Sequence, residues 1–74
     1  MNEKVYLMLK TQAESDKAKA LLTIDLLTKV PAGIGDHSGG DFYKNAEDAL
    51  KLLASADERL ETLEKYFNTK EILA

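Results

Sequence analysis

The sequence predicts an all-α protein, an antiparallel two-helix hairpin that assembles with further copies into a four-helix bundle as a homo-oligomer. Three observations carry this prediction. All four glycines, the one proline and the one histidine fall within residues 31–40 of a 74-residue chain. After this segment, apolar residues recur at alternating spacings of four and three. More apolar side chains flank that repeat than a single helix–helix contact can cover.

The length and composition restrict the chain to one small domain. Seventy-four residues are enough for one hydrophobic core and not for two. A domain of this size is marginally stable unless a disulfide, a metal or a partner chain supports it. Because the chain has no cysteine, disulfides and thiolate zinc sites are excluded. We therefore expect a partner chain, most simply a second copy of this one.

A single helical-hairpin domain is expected over residues 1–74. The first helix ends where Pro31 cannot continue it, since proline lacks the backbone N–H and disfavours helical geometry before it. Asp41 is the expected N-cap of the second helix, with Ser38 as the alternative. The expected parts are a helix of about 2–30, a glycine-rich loop of 31–40, a helix of about 41–68 and a short tail of 69–74.

The second helix carries a continuous heptad repeat, the pattern of a helix that packs against another helix. The first helix carries a matching row with the same period. Folding about the loop then places Ala20 level with Leu53 and Ala13 level with Leu60, so that small residues face large ones. The repeat consists of Phe42, Ala46, Ala49, Leu53, Ala56, Leu60, Leu63 and Phe67, and the matching row of Tyr6, Ala13, Ala20 and Leu27.

Apolar residues beside these rows predict self-association. Two helices that touch along one line leave such residues exposed, and an exposed patch of this kind is typical of an interface. Packing two hairpins together covers it. We expect a homo-oligomer, a dimer in the first instance, and an unidentified protein partner is the alternative occupant. The candidate interface residues are Leu7, Met8, Leu22, Leu26, Leu50, Leu52 and Tyr66.

The charge and hydropathy pattern argues against several functions. A net charge of −3 is unfavourable for a nucleic-acid binder, whose affinity comes largely from Lys and Arg on phosphates. No apolar run approaches the roughly 18 residues of a membrane span. No export signal is apparent, so a cytoplasmic location is expected. The only arginine, Arg59, is expected to be exposed among Asp57, Glu58 and Glu61, which leaves no cluster of cations for an anionic substrate.

The loop is the one segment where chemistry is conceivable. Asp36 and His37 are candidate metal ligands, and a metal- or small-ligand-binding protein is an alternative function. However, neighbouring side chains on a loop usually diverge, and there is no second His or Cys to complete a site. Ser38 beside His37 lacks the geometry of a nucleophile and its base. We therefore predict no catalytic residue, no cofactor and no enzyme activity.

Charged residues near the seam allow two interpretations. Lys17 takes a seam position between Ala13 and Ala20, where it either fixes the register or extends its ammonium group into water along the interface. The acidic residues of the second helix are interpreted as its solvated side. A third functional hypothesis uses that acidic side, namely a small regulator that binds a host or viral enzyme.

Two stretches of the second half carry a resemblance. The loop GIGDHS (33–38) followed by DERLETLEKYF (57–67) resembles short uncharacterised proteins of tailed phages that infect marine cyanobacteria. In those proteins a similar loop precedes a helix that ends in a Leu-x-x-Leu-x-x-Tyr-Phe pattern. The resemblance implies a phage or environmental origin, and the host cytoplasm as the location. It implies no activity and no site residue.

Overall fold

The computed structural model describes residues 1–29 and 39–68, apart from the side chains of residues 39 and 40. In these ranges the chain forms two helices, α1 (Glu3–Lys29) and α2 (Gly39–Phe67). They run antiparallel, because Leu9 shares a groove with Phe67 at one end while Leu26 shares one with Asn45 at the other. The predicted all-α helical hairpin is confirmed.

The N-terminus of α1 is capped by Asn2. Its side-chain Oδ1 accepts a hydrogen bond of 2.7 Å from the backbone N–H of Lys4, and its carbonyl accepts one of 2.9 Å from the N–H of Tyr6. An asparagine in this place satisfies one of the free amides of the first turn. At the other end, Lys29 lies in the last turn, where its positive charge complements the exposed carbonyls.

The start of α2 differs from the expectation. The helix begins at Gly39, two residues earlier than predicted, so Asp41 lies inside the first turn and is not the N-cap. In that position its carboxylate still favours the helix, because the N-terminal turn carries a partial positive charge. Ser38, the alternative cap, lies outside the described residues, as do Pro31 and the predicted tail 69–74.

The core is a narrow row of residues along the contact between the helices. The three most deeply buried members are alanines, and Ala13, Ala20 and Ala56 have no exposed surface at all. Their small side chains allow close approach of the two backbones, as the heptad spacing predicts. The other members of the predicted repeat of α2 are only half-buried, namely Phe42, Ala46, Leu53, Leu60 and Phe67. The buried row consists of Tyr6, Ala13 and Ala20 of α1 with Ala49, Ala56 and Leu63 of α2.

The molecule is elongated, and its Cα atoms span 55 × 15 × 13 Å. It exposes 5862 Å² of surface. A compact monomer of the same 8.2 kDa mass exposes about 4,500 Å². The elongated chain therefore has a large surface for its mass, and eleven large apolar side chains of the described ranges are exposed on it.

Candidate functional site

Two ion pairs link the helices on opposite sides of the buried alanine row. Asp16 Oδ2 of α1 lies 2.8 Å from Arg59 Nη2 of α2. The next residue of α1, Lys17, places its Nζ 3.1 Å from Oδ1 of Asp57. Neighbouring residues of a helix point in directions about 100° apart, so the two pairs flank the seam rather than stack on each other. Together they bracket the closely packed centre of the hairpin.

The Asp16–Arg59 pair is the more buried of the two and has additional hydrogen bonds. Gln12 Nε2 donates to Asp16 Oδ1 over 3.2 Å, and Arg59 Nε donates to the carbonyl and the hydroxyl oxygens of Ser55 over 3.2 and 3.1 Å. The hydrogen bond from Arg59 lowers the pKa of Asp16 below its ordinary value. Burial acts against this shift, and Gln12 and the nearby charges of Arg59 and Lys19 add to it.

The position of Arg59 corrects the sequence prediction. Arg59 is half-buried and pairs with the other helix, instead of lying exposed among the acidic residues of its own helix. The Asp16–Arg59 contact could have been predicted from the pairing of the helices, since that pairing brings Asp16 within about one helical turn of Arg59. Lys17 forms an ion pair across the seam, and a role of this pair in fixing the register stays a prediction. Its side chain stays 44% exposed at the seam, while its ammonium group pairs with Asp57.

Among the described residues, open grooves lie between the helices on either side of the Asp16–Arg59 pair along the helix axes. One is lined by Leu26, Leu27 and Leu52 among others. The other is lined by Leu9, Leu63 and Phe67, together with Gln12 and Arg59 of the ion-pair network. The half-buried charges beside this second groove bond to each other rather than into it. The grooves therefore fit apolar side chains better than a polar ligand.

The predicted interface residues occupy different sides of the hairpin. Six of them are exposed, and the exposed fraction reaches 60% for Met8 and 64% for Tyr66. Leu52 differs, because it is half-buried and lines a groove beside Leu26. Helical periodicity separates the exposed set, since Leu7 lies about 100° around α1 from Met8. The six exposed residues are Leu7, Met8, Leu22, Leu26, Leu50 and Tyr66.

The exposed apolar side chains are concentrated on the first helix. Of the eleven large apolar side chains that are exposed in the described ranges, eight belong to residues 1–26 and three to α2. Five of these eleven side chains are not among the predicted interface residues, and the signal for Val5 is its helical spacing from Met8. The five are Met1, Val5, Leu9, Leu21 and Tyr43.

The candidate metal ligands Asp36 and His37 lie outside the described residues. Within residues 1–29 and 39–68, no group of three or more His, Cys, Asp or Glu side chains is arranged to hold a metal ion. Neither α1 nor α2 is long and apolar enough to cross a membrane. The hypothesis of a metal- or small-ligand-binding loop stays a prediction from the sequence.

The fold and its surface define a class of protein, a two-helix hairpin with partly exposed ion pairs across its seam and exposed apolar side chains. No protein-family model, no curated protein and no solved structure matches the chain. The function is therefore inferred from the surface of the hairpin itself.

Proposed function

We propose that this protein is a small, non-enzymatic structural or protein-interaction module that self-associates. The basic unit is a homodimer of hairpins, and its four helices form a bundle. The observation that supports this proposal most is the apolar surface left open by the hairpin, which includes Met8, Leu22 and Leu26 of α1. Leu22 and Leu26 lie one helical turn apart, and neighbouring exposed apolar side chains of this kind are typical of an interaction surface.

The exposed apolar side chains are numerous enough to contribute to an interface. Within the described ranges, eleven large apolar side chains are exposed. Each partner of a standard-size protein interface contributes about 800 Å². Association of two copies through these side chains buries apolar area that the single hairpin leaves in water.

The thin core explains why association is needed. Four of the six buried residues are alanines that contribute little apolar area each, and no large side chain in the described part of the chain is fully buried. A small domain with so little buried apolar area is marginally stable by itself. A second copy adds the missing apolar contacts and stabilises the hairpin by mass action.

A role without catalysis fits the described charges. Asp16, Arg59, Lys17 and Asp57 neutralise each other across the seam. An active site instead requires charged or nucleophilic groups that face a substrate cavity. A cytoplasmic location, in the host if the chain is encoded by a phage, is part of the same proposal, and a protein without cysteine is compatible with that compartment.

The test is the thermal unfolding midpoint, followed by circular dichroism at increasing chain concentration. If association stabilises the hairpin, the midpoint rises with concentration, because the dimer is favoured by mass action. A midpoint that is the same at every concentration overturns the proposal. The Ala54→Ser variant serves as a control, because this exposed alanine of α2 lies outside the buried row and its substitution leaves the concentration dependence in place.

A further inference from the structure

Helix α1 carries a second heptad seam beside its buried row, which we name the outer seam. Three of its members, Gln12, Lys19 and Leu26, also line the grooves between the helices. Its spacings alternate between three and four, the period of a helix–helix contact. Its four apolar members are well exposed, from 43% for Val5 to 60% for Met8. The outer seam consists of Val5, Met8, Gln12, Ser15, Lys19, Leu22 and Leu26.

The outer seam has the same polarity pattern in both directions. Two apolar residues lie at each end, Val5 with Met8 and Leu22 with Leu26, and three polar residues lie between them. The small residue Ser15 is the central one. When the direction of the helix is reversed, each apolar position of the outer seam therefore coincides with an apolar position and each polar position with a polar one. This is the property that a twofold axis requires, because each element must face the corresponding element of the other copy.

The flanking charges follow the same reversal. Lys4 and Asp25 lie in one row beside the outer seam, three heptads apart, near opposite ends of α1. In an antiparallel pair of α1 helices, Lys4 of each copy lies beside Asp25 of the other, which also pairs with Lys29 of its own helix at 2.9 Å. Lys4 is in the first turn, where a positive charge opposes the helix dipole. An ion pair between Lys4 and a second copy would offset the unfavourable interaction of Lys4 with the helix dipole.

We infer that two copies pair through the outer seams of their α1 helices, antiparallel, about a twofold axis near Ser15. This inference rests on the proposed self-association and specifies its surface. Apolar ends then pack against apolar ends, and the polar residues Gln12 and Lys19 meet near the axis. A second copy is the occupant that the pattern favours, because the reversal symmetry of side chains and charges has no role in binding an unrelated protein.

Cysteine cross-linking tests the geometry in the full-length chain, which has no native cysteine. Ser15→Cys places a thiol beside the inferred axis. Ala54→Cys places one on an exposed position of α2 as the matched control. Under mild oxidation we expect Ser15→Cys to form a disulfide-linked dimer at least about tenfold faster than Ala54→Cys, since a disulfide needs Cα atoms within about 7 Å. Equal rates, or faster linking at position 54, overturn the inference.

A charge swap gives a second test that does not depend on oxidation. Lys4→Glu removes two ion pairs in the dimer and is expected to weaken association about fivefold, an effect in the range of exposed pairs. Adding Asp25→Lys restores both pairs with reversed sign and restores the affinity. Lys4→Glu favours the helix dipole, so loss of helix does not account for its weaker association. Asp25→Lys also removes the ion pair with Lys29, so the helical content of the double variant is checked by circular dichroism at the concentrations used. A double variant that binds no better than Lys4→Glu contradicts the antiparallel arrangement.

The two proposals fail in different ways. A wild-type chain that remains a monomer overturns both. A wild-type dimer whose Ser15→Cys and Ala54→Cys variants link at equal rates overturns only the α1 geometry and leaves self-association intact. A wild-type dimer with fast linking at position 15 supports both.

Discussion

The carboxylate of Asp16 accepts a hydrogen bond of 2.8 Å from the guanidinium group of Arg59, a residue 43 positions further along the chain. This contact joins the middle of α1 to α2 beside the buried Ala13 and Ala56. Charged groups can pair here because the alanines bring the helices close together. The pair therefore depends on the antiparallel fold and reports on it.

The first prediction concerns the pH dependence of stability. The pKa of Asp16 is lowered in the folded chain, chiefly by the hydrogen bond from Arg59. A lowered folded-state pKa contributes stability above the ordinary aspartate pKa, and this contribution is lost as the pH falls through the folded-state value. We expect the thermal unfolding midpoint to decrease when the pH is lowered below about 4. The measurement is thermal unfolding by circular dichroism between neutral and acidic pH.

Asp16→Asn is the control for this pH dependence. It keeps the size of the side chain and removes the titrating group, while the other carboxylates titrate as before. The wild type is expected to lose more stability on acidification than Asp16→Asn, with the difference growing below about pH 4. Identical pH profiles for the two proteins would show that the pair with Arg59 does not stabilise the fold.

The second prediction concerns the close approach of the helices. Ala56 has no exposed surface, so Ala56→Leu inserts three carbons into a filled contact. Overpacking of this kind costs about 1–3 kcal/mol in the free energy of unfolding. The matched control is Ala54→Leu, two residues away on the exposed side of α2, which is expected to change stability by less than about 0.5 kcal/mol. Urea unfolding measures both, and an Ala56→Leu variant as stable as the wild type would refute close packing at the seam.

The third prediction locates the association surface. Leu22 is 59% exposed on the outer seam of α1, and Leu50 is 60% exposed on α2. Leu22→Glu introduces a charge into the inferred interface twice, once from each copy. It is expected to raise the dimer dissociation constant by about a hundredfold or more, given the free energy of burying two leucines. Leu50→Glu is the matched control.

This comparison has a clear contrary result. If Leu50→Glu weakens association as much as Leu22→Glu does, the interface includes the side of α2 that carries Leu50, and the outer seam is not the main contact. Helical content measured by circular dichroism at high concentration shows whether either variant is still folded. Both positions are exposed in the hairpin, so both variants are expected to remain helical.

The central features of the fold follow from the sequence because they depend on local physics. The repeat of Ala49, Ala56 and Leu63 identifies the buried side of α2, and the row from Tyr6 to Ala20 identifies that of α1. The start of α2 was less predictable. In a glycine-rich segment several residues can begin a helix, and the first turn formed at Gly39 ahead of the favoured cap Asp41.

The contacts between the helices were harder to predict. Arg59 has acidic neighbours in sequence, and these suggested an exposed position, but the partner it pairs with lies on the other helix. The outer seam was missed for a related reason. Because α1 has apolar residues on two sides, its pattern does not show which apolar row belongs to which contact, and Met8 and Leu22 resemble the flank of the buried row.

The most direct test of the account is the mass of the wild-type chain in solution, measured by sedimentation equilibrium over a wide concentration range. The account predicts twice the 8.2 kDa chain mass at the upper concentrations, with dissociation on dilution. A mass of 8.2 kDa throughout the range would contradict it, because the apolar surface of α1 would then remain exposed without a second copy.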